Sequence, residues 1–346
     1  MSVHRIAVCE AHVPFVRGGA EYHVRTLVSE LLRHGYDAEL VAAPFKWYPK
    51  DELLAHAAAW RLFDLSESNG RPIDLVIASK FPTYFVRHPN KVTWLIHQYR
   101  AAYELCGTEY SEFRHTEGDV GLREHLVRLD GAMLGECRRI FTNSRNTAAR
   151  LEKFNGLAAV PLYHPPPSAD RIEPGPYGDY VLFVSRLESI KRPDLVVQAM
   201  RHVDPPTRLV VVGDGSHRAQ TEALAESLGL TSRLRFTGAI EESELIELYK
   251  GALAIVYVPF DEDYGYVTLE AFLARKPVVT AADAGGPLEF VEDGVNGFVC
   301  PPEPGAVAAA INRLAGDRAG AARLGDAGFE RARSVTWDGV VTRLVG

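Results

Sequence analysis

Residues 163–184 read YHPPPSADRIEPGPYGDYVLFV, and this stretch decides how the chain is divided. Proline lacks an amide hydrogen and fixes φ, so Pro165-Pro166-Pro167-Ser168 can continue neither a helix nor a central strand. It is the best domain boundary, and the apolar run at 180–184 behind it reads as a strand that restarts a pattern. Beyond it, strands at 208–212, 234–236, 254–258 and 277–280 alternate with helical periods at 194–202, 220–228, 243–249 and 268–274. Ahead of it, a compact apolar run at 5–9 leads through a loop with Pro14 and Gly18-Gly19 into a helix. Leu27, Leu31 and Leu32 keep helical spacing there until Gly35 stops it. Further strands are expected at 38–42, 75–78, 92–96, 140–142 and 158–163. Such alternation is the sequence form of a doubly wound parallel sheet, and two α/β domains are predicted, residues 1–165 and 166–346. The polar, aromatic, weakly periodic stretch at 95–136 is either an inserted helical excursion or a long functional loop.

The chain of 346 residues agrees with this division, because single cores stop growing near ~250 residues. A hydrophobic content of 47% with 24% charged residues excludes a disordered, collagen-like or coiled-coil protein. The net charge of -7 gives no general reason to bind nucleic acid. Cys9, Cys106, Cys137 and Cys300 are scattered without a C-x-x-C spacing and are expected to be reduced, with no zinc knuckle. The opening MSVHRI runs towards a strand with no signal-like apolar stretch, and no run reaches the ~18 residues of a membrane span. A cytoplasmic protein is expected, with peripheral membrane contact and oligomeric state left open.

In open α/β sheets ligands bind beyond the carboxyl ends of strands, so the residues that follow each strand are the candidates. Arg186 and Lys191 lie behind the 180–184 strand, and two cations there suit a diphosphate. They also fit as surface charges at a helix start, although cations at that end oppose the helix dipole. Gly213-Asp214-Gly215 ends another strand and opens a helix, which lets backbone amides approach a phosphate or nucleoside; Gly18-Gly19 offers a second such helix start. Neither a G-x-G-x-x-G in the first unit nor a P-loop is present. Glu262 and Glu270 are separated by seven residues across Tyr264-Gly265, with a helix expected from about Val267, so one carboxylate sits in a loop and the other in the first helical turns. A carboxylate accepting two hydroxyl hydrogen bonds can hold vicinal sugar diols. Asp261-Glu262-Asp263 has a spacing that can hold a divalent cation, but the basic pair already compensates charge and no metal is expected. Gly285-Gly286 with Glu289 marks a further strand mouth. His97 ends the 92–96 strand, as a satisfied hydrogen-bonding residue or as a group facing an acceptor.

Taken in order, these pieces resemble the retaining glycosyltransferases of family 4. The resemblance rests on Gly18-Gly19-Ala20-Glu21, Ser185-Arg186-Leu187 with Lys191, Gly213-Asp214-Gly215 and Phe236-Thr237-Gly238. It continues through Glu262 and Glu270 with Gly265 between and Ala271 after, Pro277-Val278-Val279, Gly285-Gly286 with Glu289, and Gly294 with Gly297-Phe298. It implies the GT-B fold, two Rossmann-like domains facing a central cleft, the first for the acceptor and the second for a nucleotide-sugar donor. By the same resemblance, Arg186 and Lys191 hold the diphosphate, Glu270 the ribose hydroxyls, and Glu262 with Asp263, Tyr264 and Gly265 the donor sugar. Gly213, Gly215 and Ile240 border the nucleoside, the Val267 and Thr268 amides add phosphate contacts, and Gly18, Gly19 and His97 serve from the first domain.

The activity implied is retaining, hexosyltransferase-like transfer from a UDP- or GDP-sugar to a hydroxyl of a glycan, lipid-linked saccharide or natural product, with no cofactor and no metal. A related sugar-nucleotide epimerase or phosphorylase, and a non-catalytic nucleotide-sugar binding module, are the alternatives. Two departures stand out. Pro259 lies three residues before Glu262 where the family commonly has four, and the chain ends soon after Trp337, leaving little length for a terminal helix that crosses back to the first domain. Tyr99, Arg100, Tyr103, Tyr110 and Arg114 are the expected acceptor surface, with a local aromatic core as the other reading.

Overall fold

The computed structural model describes residues 3–16 and 18–346; Met1 and Ser2 of the opening segment, and Arg17, lie outside the described residues. The chain forms two compact units, one running to Pro167 and joined by Thr336–Gly346, the other Ser168–Val335. Each is built on a six-stranded sheet in which every strand pair is parallel.

The first sheet contains β1 (Arg5–His12), β2 (Asp37–Pro44), β3 (Leu75–Ala78), β4 (Lys91–Leu95), β5 (Arg139–Thr142) and β6 (Val160–Pro161), in the order β2-β1-β3-β4-β5-β6. Successive side chains of a strand point to opposite faces, and β1 shows both faces covered. Ile6 and Val8 pack with Val24, Leu27 and Leu31 of α1 (Gly19–Arg33), whereas Ala7 and Cys9 pack with Leu53, Ala57 and Trp60 of α2 (Glu52–Leu62). That is why the 5–9 run is continuously apolar rather than alternating.

The stretch at 95–136 is a helical excursion. After a short turn at Arg100–Ala102 it forms α3 (Glu117–Gly135), capped by the Thr116 side chain accepting from the Asp119 amide. Leu126 and Leu134 of α3 and Leu151 of α4 (Arg145–Asn155) join the α2 side of the sheet. Tyr103 and Phe113 are buried in that core, so the expectation that Tyr103 faces an acceptor is corrected: its ring supplies apolar area under the excursion. Arg114 is exposed, but its guanidinium donates to the Thr108 carbonyl at 2.8 Å and to the Ser111 carbonyl, closing the loop ahead of α3. Of the expected strand at 158–163, only Val160–Pro161 pairs, on the sheet edge.

The second sheet holds β7 (Tyr180–Val184), β8 (Arg208–Val212), β9 (Leu234–Gly238), β10 (Ala254–Val256), β11 (Val278–Ala281) and β12 (Gly297–Cys300), in the order β9-β8-β7-β10-β11-β12. Five helices lead from its strands: α5 (Pro193–Ala199), α6 (Arg218–Ser227), α7 (Glu242–Gly251), α8 (Tyr266–Leu273) and α9 (Pro304–Gly316), followed by α10 (Arg318–Ala332). The last helix, α11 (Trp337–Val345), belongs to the first unit. Val340, Val341 and Leu344 lie in one core with Ile6, Val8 and Leu31, each burial contributing roughly 1.5–3 kcal/mol. Nine residues suffice because only one apolar stripe has to be buried.

In each sheet the strand order reverses at one point, between β1 and β3 in the first and between β7 and β10 in the second. Chains leaving such neighbours in opposite directions open a crevice at their carboxyl ends, the place where open α/β sheets take ligands.

Candidate functional site

The second crevice is bordered by the chain behind β7, which carries Arg186 and Lys191, and the chain behind β10, which carries Glu262. The β7 segment is fixed first. Ser185 donates its amide to the Val212 carbonyl at 3.1 Å, Leu187 to Asp214 at 2.9 Å, and His217 to Leu187 at 2.8 Å. This close contact explains the glycines. A Cβ on Gly213 would lie 1.8 Å from the Ser185 carbonyl oxygen, one on Gly215 2.4 Å from that of Leu187, and Gly213 has φ +126°. The Gly213 amide is engaged with the Gly238 carbonyl at 2.9 Å and the Gly215 amide with the Asp214 carboxylate at 2.8 Å. Gly213 and Gly215 therefore hold the Arg186 segment against the sheet; the amide approach to a phosphate anticipated from the sequence is not what demands glycine. Arg186 is exposed and makes no ion pair among the described residues.

Lys191 closes a 3-10 turn at Ser189–Lys191 and donates to Glu262 Oε2, which also accepts from the Tyr257 hydroxyl at 3.0 Å. Arg192, next in the chain, grips Asp283 in a two-bond fork, both contacts 2.7 Å, with its guanidinium 5.1 Å from the centre of the Phe260 ring. The loop is further tied by Phe260 N to Ile190 O at 2.9 Å, Asp261 N to Asp283 O at 2.9 Å, Glu262 N to Ala284 O at 2.8 Å and Gly286 N to Glu262 O at 2.7 Å. Arg192 and Asp261 have left-handed φ values of +55° and +44°, a strain of roughly 1–3 kcal/mol each that the surrounding bonds must hold. Gly286 permits the approach, since its Cβ would sit 2.8 Å from Asp263 O and Tyr264 Cα. Gly285 and Gly286 thus shape the Glu262 loop, and Glu289 ends the following short 3-10 turn.

Asp263 and Tyr264 are buried, and Gly265, at φ +81°, is the N-cap of α8. The helix begins one residue earlier than expected. Val267 stands at its second position, where an amide has no helical acceptor, while the Thr268 amide donates back to Gly265 O at 3.0 Å. The Thr268 hydroxyl is buried without a hydrogen-bond partner among the described residues. Glu270, one turn on, accepts from the Tyr249 hydroxyl at 2.7 Å and from Ser168 at 3.4 Å. Burial raises its pKa, and these two donors only partly oppose that. Ile240 lies half-buried in the loop between β9 and α7. Among the described residues, no three His, Cys, Asp or Glu side chains gather closely enough to hold a metal ion.

In the first unit, Gly18 is the N-cap of α1 and Gly19 its first residue. Glu21, three residues past the cap, reaches back to the Gly18 amide and accepts from Lys80 Nζ at 2.8 Å. Burial alone would raise the Glu21 carboxyl, but the Lys80 ammonium and the hydrogen bonds outweigh it and hold the group below its ordinary value. Gly18 and Lys80 follow β1 and β3, the two strands at this sheet's reversal. His97 follows β4, the next strand, and donates from Nδ1 to the Gln98 carbonyl at 2.6 Å.

The sequence reading missed Lys80, Tyr249, Tyr257 and Arg192. Lys80 carried a usable signal, since it stands two residues behind the 75–78 strand. The tyrosines carried none, because their partners are set by strand register.

The family described as Glycosyl transferases group 1 matches residues 173–331. A D-inositol 3-phosphate glycosyltransferase of Nocardia farcinica (strain IFM 10152) is 30% identical over 395 residues, covering 96% of this chain and 86% of that protein. The enzyme of the same name from Streptomyces bingchenggensis (strain BCW-1) is 29% identical over 250 residues, covering 64% of this chain and 55% of that protein. The chain thus spans little more than half the length of that relative. Among solved structures, sucrose-phosphate synthase from Thermosynechococcus elongatus superposes with a TM-score of 0.78 at 20% identity, covering 98% of this chain and 97% of that one. Anabaena HepE in complex with UDP and glucose superposes with a TM-score of 0.70 at 19% identity, covering 98% and 96%. The two parallel sheets with their carboxyl-end loops are those of a GT-B protein, and the chain belongs to the group 1, family 4 glycosyltransferases.

Proposed function

We propose that the protein transfers a sugar from a UDP- or GDP-sugar to a hydroxyl acceptor, with retention of anomeric configuration and without a metal. The observation that carries this reading is the Lys191–Glu262 ion pair joining the chains behind β7 and β10, with Arg186 on the first of these chains and Glu270 in α8 after the second. HepE, of the same fold, holds UDP and glucose, which supports a uridine nucleotide as donor.

Cleavage of the bond between the anomeric carbon and phosphate oxygen leaves negative charge on the diphosphate. Arg186 and Lys191 stabilise that charge, and the Val267 amide at the start of α8 adds a dipole. Glu270 accepts from the ribose hydroxyls. Glu262, already held by Lys191 and Tyr257, orients the hydroxyls of the sugar and is not a nucleophile. The acceptor oxygen bonds to the anomeric carbon on the face the phosphate leaves, and its proton passes to the departing phosphate. We assign the acceptor to the first unit, with Gly18 and Gly19 on the diphosphate and His97 on the sugar.

A thermal-shift panel of UDP-, GDP- and ADP-sugars at one common concentration, about 100 times the Kd of the tightest of them, tests the donor. One donor should stabilise the protein by roughly 2.7 kcal/mol and the others far less. No shift with any nucleotide sugar contradicts the reading, and a shift followed by sugar isomerisation without transfer would favour an epimerase.

A further inference from the structure

A buried polar chain runs through the first unit and ends at His97. Asp130 of α3 is fully buried, and its Oδ2 accepts from the Tyr103 hydroxyl at 2.6 Å. That hydroxyl accepts from Asn155 Nδ2 at 3.4 Å, a long contact, and the same Nδ2 donates to the Val127 carbonyl at 3.0 Å. Asn155 Oδ1 in turn accepts from Gln98 Nε2 at 3.2 Å, with Gln98 itself fully buried. Gln98 is the pivot: its side chain is anchored to the end of α4, and its carbonyl receives the Nδ1 hydrogen of His97. A carbonyl can only accept, so this bond requires the hydrogen on Nδ1; when the ring is neutral, Nε2 is then its acceptor nitrogen.

Folding alone does not account for the chain. Gln98 Oε1 is buried with no hydrogen-bond partner among the described residues, and Asp130 Oδ1 and the neighbouring Tyr84 hydroxyl are both buried without a well-formed bond, each acting on the other electrostatically. Burial also pushes the Asp130 carboxyl up to about 7, against the Tyr103 and Tyr84 hydroxyls. Apolar side chains of the same shape would fill this core without those penalties. What the polar groups supply is a fixed direction for the Gln98 carbonyl.

We propose that Gln98 and Asp130 are positioning residues, which through Asn155 and Tyr103 hold the His97 imidazole in one orientation and in its Nδ1-protonated form. This rests on the assignment of His97 to the reacting sugar. Group orientation of this kind is worth up to two orders of magnitude in rate. Gln98→Met keeps length and volume but cannot donate to Asn155. It should lower kcat about 10-fold or more while the donor KM stays within about 2-fold. Long-range 1H–15N spectra should show the His97 ring passing from the single Nδ1–H form to a tautomer mixture. Asp130→Asn, which still accepts from Tyr103, should keep kcat within about 3-fold, whereas Asp130→Leu should reproduce the Gln98→Met result. If Gln98→Met does not fold, Asn155→Leu cuts the same link from a half-buried position. Wild-type kcat and an unchanged His97 spectrum in a folded Gln98→Met or Asn155→Leu protein would overturn the proposal. A spectrum that changes on Gln98→Met while His97→Ala transfers sugar normally would uphold the brace and overturn instead the role given to His97.

Discussion

Replacing Lys191 by alanine lowers kcat for sugar transfer by about 10²–10³-fold, the usual cost of removing one preorganised group that meets charge developing in the transition state. The effect falls on kcat more than on the donor KM. The ground-state diphosphate already carries its charges, but the bridging oxygen gains more as the anomeric bond breaks. The backbone that carries Lys191 is held in place, because its neighbour Arg192 is locked to Asp283 and the Ile190 carbonyl accepts from the Phe260 amide. Glu262 keeps its Tyr257 bond in the variant, so the loop retains one anchor and the loss reports on charge rather than collapse. Lys191→Arg should recover part of the rate, limited by the wider guanidinium in a position that takes a compact ammonium. Full transfer with an unchanged donor KM in the alanine variant would remove Lys191 from the diphosphate site.

The second large effect is structural. Gly213→Ala should destabilise the second unit by about 3 kcal/mol or more, because it combines a left-handed φ with a Cβ placed inside the Ser185 carbonyl. The melting temperature should fall by roughly 6–12 °C for a unit of this size, and nucleotide-sugar stabilisation should vanish as the Arg186 segment is pushed off the sheet. Gly294→Ala is the control. Gly294 also has a positive φ, +72°, but a Cβ there meets nothing within 4 Å, so only backbone strain of about 1 kcal/mol is expected. Equal losses in the two variants, measured by calorimetry, would show that the approach to Ser185 is not what Gly213 serves.

What the sequence made legible follows from what local pattern can encode. Strands buried on both faces read as apolar runs, so β1, β3, β7, β8 and β11 were visible, and the rule that ligands lie behind strand ends singled out Arg186, Lys191 and Glu262, of which the structure joins the last two. The triple proline likewise marked the point where one unit ends, since its chemistry forbids either regular element. Pairings set by sheet register were not legible. Lys80 meets Glu21 across 59 residues and Tyr249 meets Glu270 across 21, and neither distance has a period to betray it. Gly213 and Gly215 were recognised for their conformational freedom, and only the structure shows the Ser185–Leu187 backbone pressed against them. Tyr103 was misplaced for a physical reason as well. An aromatic residue in a polar, weakly periodic stretch fits a binding surface and a small local core equally well, and burial decides between them.

The most direct test of the central claim is the anomeric configuration of the product, read by 1H NMR from the H1–H2 coupling during turnover of the donor identified in the thermal-shift panel, with and without EDTA. Transfer through phosphate departure and same-face attack, with Arg186 and Lys191 supplying the positive charge, predicts an α-linked product from an α-linked donor at a rate that EDTA leaves within about 2-fold. An inverted product, or a rate abolished by EDTA and restored by a divalent cation, would contradict it.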